Sequence, residues 1–370
     1  MLRIGEQPRG SSTCVSLWLL LCIALFGCAP TINARVLKPS EISLGNYTNV
    51  AVAEFEGTRG NDIGRGIEQA LMQARVGGEP YFKLVARDQL QKVMREQSLQ
   101  LTGAIDPSQV SQVGKVLGVQ GIITGNVSSY DSNDQNTTES RTDSYQCGNQ
   151  TCSREVQVSC TIREVYVAFN VNFISVETGA IEVSDAEEGR LSGKRCNEPN
   201  WASALGASIV DMALVYGPLE PKEVMLSKAA NLGIATFVRK ITPNYAVLRI
   251  PLQKDDDDAP WFFATDEQKL FGEKMKSGVQ FAQSGVWDKA IESWEDASKQ
   301  QPNCAACHYN VGVGYEMKGD LARAQQQFEK ALSMKPGVST YVDAVGRVRV
   351  RQADAEKLKH QMQGRGMRNQ

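Results

Sequence analysis

A repeat with a period of about 34 residues constrains the C-terminal part of this chain most strongly. Small, aromatic and proline residues recur at matching positions in two successive units. Such a period is typical of stacked helical hairpins, because one hairpin cannot bury its apolar face alone. The matched pairs are Gly278/Gly312, Phe281/Tyr315, Gly285/Gly319, Ala290/Ala324, Trp294/Phe328, Ala297/Ala331 and Pro302/Pro336.

These positions resemble the tetratricopeptide repeat, in which small residues lie where two helices touch, an aromatic side chain fills the gap, and proline ends the second helix. Gly346 opens a third, incomplete unit, and the charged segment Arg347–Gln363 would cap the stack with a polar face. The sequence thus predicts an all-α domain at residues 266–370 with about two and a half repeats. The resemblance implies that this domain binds segments of other proteins.

The N-terminus has the pattern of a lipoprotein export signal. Arg3 and Arg9 are followed by the apolar run Val15–Phe26, which is shorter than the about 20 residues that cross a bilayer. The run leads into Cys28 in a context that resembles the bacterial lipobox, although an ordinary secretory signal with an incidental cysteine is the alternative. The lipobox resemblance implies cleavage before Cys28 and its acylation, palmitate included, and Ala29 after it implies the outer membrane.

The rest of the chain offers no apolar run long enough to cross a membrane, and the whole chain has a formal net charge of −2 with no basic face. We therefore expect the lipid on Cys28 to be the membrane attachment, and we expect no nucleic-acid partner. Residues 28–45 contain Pro30 and Pro39 and show no periodicity. They are predicted to be a lipidated tether.

Residues 46–253 mix strand and helix patterns, which predicts an α/β domain with a mixed sheet. A polar stretch at 131–155 interrupts them and is predicted to be a long, mobile insertion. An acidic linker, 254–265, is predicted to follow. The predicted strands are 50–55, 81–85, 121–130, 165–173, 181–183 and 244–252, and the predicted helices are 62–74, 87–97, 106–117, 201–216 and 221–239.

Four segments of this domain, in order, resemble the curli-secretion lipoprotein family CsgG and its relative LpoB, the lipoprotein activator of penicillin-binding proteins. The segments are VAVAEF at 50–55, FKLVARDQLQKVMREQSLQ at 82–100, VGKVLGVQGIITGNVSSY at 113–130 and VNFISVETGAIEVS at 171–184.

The resemblance implies one of two functions. One relative forms an outer-membrane export channel to which each subunit contributes β-hairpins, and the other is a periplasmic activator that contacts a peptidoglycan synthase. A membrane strand alternates apolar and polar residues over about 10 positions, and residues 131–154 do not. We therefore favour a member of the family that forms no pore, with a channel component as the alternative.

Six cysteines follow Cys28. Cys147, Cys152, Cys160 and Cys196 lie in or beside the polar stretch, and an even number of cysteines in an exported chain favours two disulfides. Four cysteines allow three pairings, and the sequence does not choose among them. Free thiols are the alternative, and no paired motif supports a metal site.

Cys304, Cys307 and His308 have the CxxCH spacing of c-type haem attachment. However, the motif lies where one repeat ends and the next begins, and His308 occupies a position that normally packs inward. A local disulfide or free thiols are therefore favoured, with no cofactor. A haem electron carrier is the alternative function from another class.

The chain has two histidines, and no catalytic constellation stands out from it. The glycines at 60, 64 and 66 follow a strand but lack the GxGxxG spacing of a dinucleotide loop. The sequence therefore predicts a non-enzymatic, lipid-anchored periplasmic scaffold that binds protein partners, with a homo-oligomer as one form of that binding.

Replacing Cys28 with serine is expected to release an intact, folded protein from the membrane, because it removes the acceptor of the lipid. Fractionation and fatty-acid labelling of cells would measure this, with Cys22→Ser, inside the apolar run, as the matched control. Retention of the Cys28→Ser protein in the membrane fraction would contradict attachment by lipid alone.

Overall fold

The structure, a computed structural model, describes residues 30–86, 89–90, 92–93, 107–197, 219–254 and 265–363. These residues form two compact units. The α/β unit comprises residues 37–244 and 356–363, and the helical unit comprises residues 30–36 and 245–355.

The elements follow one another in the order strand, strand, helix, then a strand-rich middle and a helical end. The strands are β1 (Thr31–Lys38), β2 (Asn49–Glu56), β3 (Arg75–Val76), β4 (Glu79–Pro80), β5 (Lys83–Leu84), β6 (Gly121–Cys147), β7 (Gln150–Ser175), β8 (Ile181–Cys196) and β9 (Asn244–Pro251). The helices are α1 (Gly60–Gln73), α2 (Pro107–Leu117), α3 (Lys222–Ile241), α4 (Asp266–Gln283), α5 (Trp287–Gln300), α6 (Ala305–Met317), α7 (Leu321–Met334) and α8 (Ser339–Met362).

The α/β unit is built on a five-stranded sheet with the order β5-β2-β6-β7-β8. Strand β2 runs parallel to β5 and β6, whereas β6, β7 and β8 pair antiparallel. The predicted mixed sheet is therefore confirmed. Gly118 ends α2 with a φ of +66°, a conformation that glycine adopts without a steric penalty, and the chain turns there into β6.

Both faces of this sheet are covered. Alternate β7 residues from Val165 to Phe173 are buried on the face packed by α1 and α3, together with Ile67 and Phe237. The other face packs against α2 through a smaller cluster that includes Ile174. The alternation of β-branched and aromatic side chains on β7 thus supplies the larger core directly, as its period of two requires.

The prediction of a mobile insertion at residues 131–155 was wrong. Strands β6 and β7 continue as one antiparallel hairpin from Gly121↔Ser175 to Cys147↔Gln150. Main-chain hydrogen bonds need no apolar side chains, and polar side chains also pair across the two strands. Arg163 donates to Asp134 at 2.7 Å, and Arg154 donates to Asp143 at 3.1 Å.

The predicted tether contains a strand. In β1, Ile32, Ala34 and Val36 are buried in alternation and join the core of the helical unit. Strand β1 pairs with β9 in a separate two-stranded sheet. The alternation is weak in the sequence because a small residue, Ala34, stands at the central inward position.

The helical unit repeats its contacts as well as its sequence. Helices α5 and α7 begin and end at matching positions of the two repeats, and α4 and α6 also end at matching positions. A Cβ on Gly278 would lie 2.2 Å from the Trp294 ring, and one on Gly312 would lie 2.7 Å from the Phe328 ring. The predicted all-α region is therefore confirmed as an array of helical pairs in which glycine admits the facing aromatic ring.

The predicted domain boundaries follow chain order, and the two units do not. The last turns of α8, predicted as the polar cap of the repeats, belong to the α/β unit. There the Gln361 amide accepts from Ser40 N at 3.1 Å and donates to Ser40 O at 3.0 Å, and Met362 is buried. A contact between residues so far apart in the chain has no signature in local sequence.

Among the described residues, no helix combines the length and the apolar character needed to cross a membrane. Cys28, the predicted helix at 201–216, most of the predicted helix at 87–97 and most of the acidic linker lie outside the described residues.

Replacing Gly278 with alanine is expected to lower the free energy of unfolding by about 1–3 kcal/mol, because the new methyl group overlaps the Trp294 ring. Gly272, in the same helix, has open space within 4 Å of where a Cβ would lie and serves as the control. Gly272→Ala should be neutral or stabilising by up to about 1 kcal/mol. Urea unfolding of both variants tests this, and equal effects would contradict it.

Candidate functional site

The helical unit holds an extended segment of its own chain on α6. The Asn310 side-chain amide accepts a hydrogen bond from Gln253 N at 2.9 Å and donates one to Gln253 O at 2.7 Å. We call the Asn310 side chain, which makes both hydrogen bonds, the amide clamp. Asn310 is fully buried, so both of its polar groups are satisfied by the main chain of the segment.

A second main-chain contact is made at Pro251, two residues before Gln253. The Tyr309 hydroxyl donates to Pro251 O at 2.8 Å. Burial raises the pKa of Tyr309 to about 12, which keeps the hydroxyl protonated as a donor. Leu252 N also donates to Pro30 O at 2.7 Å, so the segment is bonded to the residue that precedes β1 as well as to α6.

A buried ion triad fixes α8 against α6. Glu316 is completely buried, and its carboxylate accepts from Arg347 Nη2 at 2.9 Å and from Arg351 Nη1 at 3.0 Å. Two guanidinium groups compensate for the loss of water around one carboxylate. The triad holds the helix that carries Arg347 in place beside the Tyr309 and Phe328 rings.

The CxxCH motif does not fit a haem. Cys304 and Cys307 form a disulfide at the beginning of α6, and both are buried, so neither thiol is free to form a thioether. The His308 ring is also occupied, with Nδ1 2.8 Å from Gln327 Oε1 and Nε2 3.5 Å from Ser298 Oγ. In addition, Cys304 Sγ accepts from Cys307 N and caps the helix.

One disulfide closes the long hairpin of β6 and β7, and a second joins β7 to β8. Cys147 is bonded to Cys152 across the turn, and Cys160 is bonded to Cys196, its direct partner on β8. The structure thus selects one of the three pairings that the sequence left open. We call β6, β7 and β8 beyond the β2 contact the ribbon, which comprises residues 127–147, 150–169 and 187–196.

One trio of potential metal ligands occurs among the described residues. Glu139, Cys160 and Cys196 place their ligand atoms within 4.8 Å of one another. The two sulfur atoms are bonded to each other, and Glu139 is paired with Lys194 and, at 3.8 Å, with Arg141. A carboxylate already paired with two cations beside a disulfide is a structural arrangement, and it does not match a zinc site built from thiolates.

The glycines that follow β2 serve packing. A Cβ on Gly60 would lie 2.0 Å from Phe55 O, and one on Gly66 would lie 2.5 Å from the Ile234 side chain. Gly64 is buried in the same helix. Gly60 lets α1 approach β2 closely, and Gly66 lets it approach α3, so both glycines have a role in packing.

The comparison with protein families found a model that matches the segment containing the five-stranded sheet. The model of the family described as curli production assembly/transport component CsgG matches residues 40–212. We call the matched segment, residues 40–212, the CsgG-family domain. A second model, a domain of unknown function (DUF6340), matches residues 276–344, which cover most of the helical array.

Solved structures similar to the chain share little sequence with it. The LpoB C-terminal domain from Salmonella enterica is 14% identical, with 41% of this chain and 84% of that chain covered and a TM-score of 0.23. A PelC dodecamer from Paraburkholderia phytofirmans is 14% identical, with 57% and 97% covered and a TM-score of 0.24. Lipoprotein GNA1162 from Neisseria meningitidis is 12% identical, with 45% and 96% covered and a TM-score of 0.25. No curated protein matches the chain.

An ion cluster joins α3 to β8 of the five-stranded sheet. Lys240 lies 2.6 Å from Asp185 and 2.8 Å from Glu187, both on β8. Burial raises the pKa of Glu187, and the hydrogen bond from Lys240 opposes this shift. Lys240, placed between two carboxylates of β8, thus orients α3 on the sheet. The three charged side chains have a structural role in this contact.

His308 is expected to make stability depend on pH. Burial, the largest cause, lowers the pKa of His308 below its ordinary 6.5, and Lys330 acts in the same direction. The unfolded chain therefore binds the proton first on acidification, so this contribution to stability is present above about pH 6.5 and is lost as pH falls toward the folded pKa.

Urea unfolding at about pH 7.5 and about pH 5 would measure this loss. It should be smaller for His308→Gln than for the wild type. His360→Gln, at an exposed position, is the control and should behave like the wild type. An equal loss in all three proteins would contradict the role of His308.

Proposed function

We propose that this protein is a lipid-anchored periplasmic scaffold of the bacterial cell envelope. Its CsgG-family domain would contact or assemble with an envelope machine, and its helical unit would bind a second protein in the manner of tetratricopeptide repeats. In this role the protein would have no enzymatic activity and no cofactor.

One observation carries this proposal: a single chain joins a CsgG-family domain at residues 40–212 to a repeating array of helical pairs. The family is described as a curli production assembly/transport component, which is a role in building larger assemblies. Arrays of helical pairs offer an extended surface, and such surfaces typically bind proteins.

The N-terminal sequence supports the place of action. An apolar run that ends at Cys28 favours export and lipidation, and Ala29 favours sorting to the outer membrane. A protein attached in this way would face the periplasm, where disulfides persist. Three disulfides in the described part of the chain agree with that compartment.

The ribbon supports assembly by the CsgG-family domain. Within the described part of the chain, strand β6 pairs with β2 only as far as Asn126, and from Val127 onward it pairs with β7 alone. An edge of this kind presents main-chain donors and acceptors that another chain can pair with, including a second copy of the same chain.

Several apolar side chains on the helical unit are exposed by between 37% and 54% and are available for contact with a partner. They are Leu270, Phe281, Val286, Val342 and Val350. Val342 and Val350 lie about two turns apart on α8, with Gly346 between them.

The double variant Val342→Asp with Val350→Asp is expected to reduce recovery of an envelope partner by about tenfold, because charges would face the apolar surface of that partner. Crosslinking mass spectrometry on detergent-solubilised envelopes would measure it with the full-length protein. Deletion of residues 266–370 is unsuitable, since it would remove Gln361 and Met362 from the α/β core. Leu232→Asp, at an exposed position on α3, is the control.

Recovery of no partner by the wild-type protein, or equal recovery by all three proteins, would contradict the scaffold. The alternative, an export channel component, is favoured by the length of the β6–β7 hairpin. It is disfavoured by the side chains of β6 from Asp131 to Gln146, among which Tyr145 is the one large apolar residue. Ring-shaped oligomers with single-channel conductance in the same preparation would establish the channel instead.

A further inference from the structure

We propose that the segment Ile250–Lys254 is a built-in ligand of the helical unit, and that a partner peptide binds by competing with it for the amide clamp. This inference rests on the proposed function, since it supposes that the helical unit binds a protein. It adds the chemistry of the partner and the way in which binding is controlled.

The contacts with the segment are of a kind that a different peptide could reproduce. Asn310 bonds to both main-chain polar groups of Gln253, and Tyr309 bonds to the main-chain oxygen of Pro251. None of these hydrogen bonds depends on the side chain of the residue bound. Any extended chain with a free N–H at the position of Gln253 can therefore make them.

The side chains of the segment define the rest of the preference. Ile250 and Leu252 are both completely buried in the core of the helical unit, whereas Gln253 is half-buried. Two apolar side chains separated by one residue thus fill the site. A competing peptide is expected to be extended, to carry apolar residues at the positions of Ile250 and Leu252, and to lack proline at that of Gln253.

Covalent attachment gives the segment its advantage. A ligand joined to its site by a short connection has an effective concentration of about millimolar, so a free peptide of similar intrinsic affinity is excluded at micromolar concentration. In the absence of a partner, the segment Ile250–Lys254 would therefore occupy the site on α6. A partner opens it by exceeding that effective concentration, or by drawing the segment away from Pro30 and α6.

The test uses a fluorescent peptide of residues 247–254, VLRIPLQK, and the full-length protein. Gln253→Pro removes the N–H that Asn310 binds, whereas the control Gln253→Ala keeps both main-chain groups. Fluorescence anisotropy should show binding to Gln253→Pro that is at least about tenfold tighter than binding to the wild type or to Gln253→Ala. Adding Asn310→Ala to Gln253→Pro should abolish this gain.

Equal peptide affinity in all four proteins, or full binding without Asn310, would overturn the inference. If Gln253→Pro does not fold, amide hydrogen exchange on folded protein decides instead. The Gln253 amide should be protected in the wild type and should exchange at least about tenfold faster in Asn310→Ala, while the Leu252 amide, bonded to Pro30, keeps its protection. Unchanged protection at Gln253 would overturn the inference.

Failure of this inference can be told apart from failure of the scaffold. Should the peptide behave as expected while no envelope partner is recovered, the scaffold fails and the built-in ligand stands. Should a partner be recovered equally by the wild type, Gln253→Pro and Asn310→Ala proteins while the peptide does not discriminate among them, the built-in ligand fails and the scaffold stands.

Discussion

The α/β unit depends on one strand that is hydrogen-bonded along both edges. Strand β7 pairs with β6 over its whole length and with β8 from Cys160 to Ile174. Its side chains alternate between two cores, with Phe173 on the face packed by α1 and α3 and Ile174 on the face packed by α2. Moving β7 by one residue would exchange the two faces, so its register fixes both cores together.

Side-chain amides make long-range polar contacts in each unit. Asn310 binds the main chain of Gln253, and Gln361 binds the main chain of Ser40. A carboxamide carries one acceptor and two donors, so it satisfies an N–H and a C=O of an extended chain at once without a net charge. In both places a buried amide bonds to the main-chain N–H and C=O of a residue distant in the chain.

Elements whose sequence pattern has a short period were predicted correctly, because such a pattern reflects local backbone geometry. The alternation from Val165 to Phe173 predicted a strand, and these residues lie in β7. The prediction of a mobile insertion at residues 131–155 was wrong, because main-chain pairing and polar cross-strand contacts hold these residues in the two strands. Residue composition does not reveal such a strand, because its side chains show no alternation of apolar and polar residues.

The sequence by itself determined the repeating helical pairs, the match of residues 40–212 to the CsgG family model and the candidate lipid anchor, since each depends on residue types at fixed spacing. The tertiary structure alone decided which cysteines pair, how far the ribbon extends and what occupies the amide clamp. Those outcomes depend on main-chain hydrogen bonds and on residues brought together from distant positions. A main-chain group is the same in every residue but proline, so the sequence does not reveal which partner it finds.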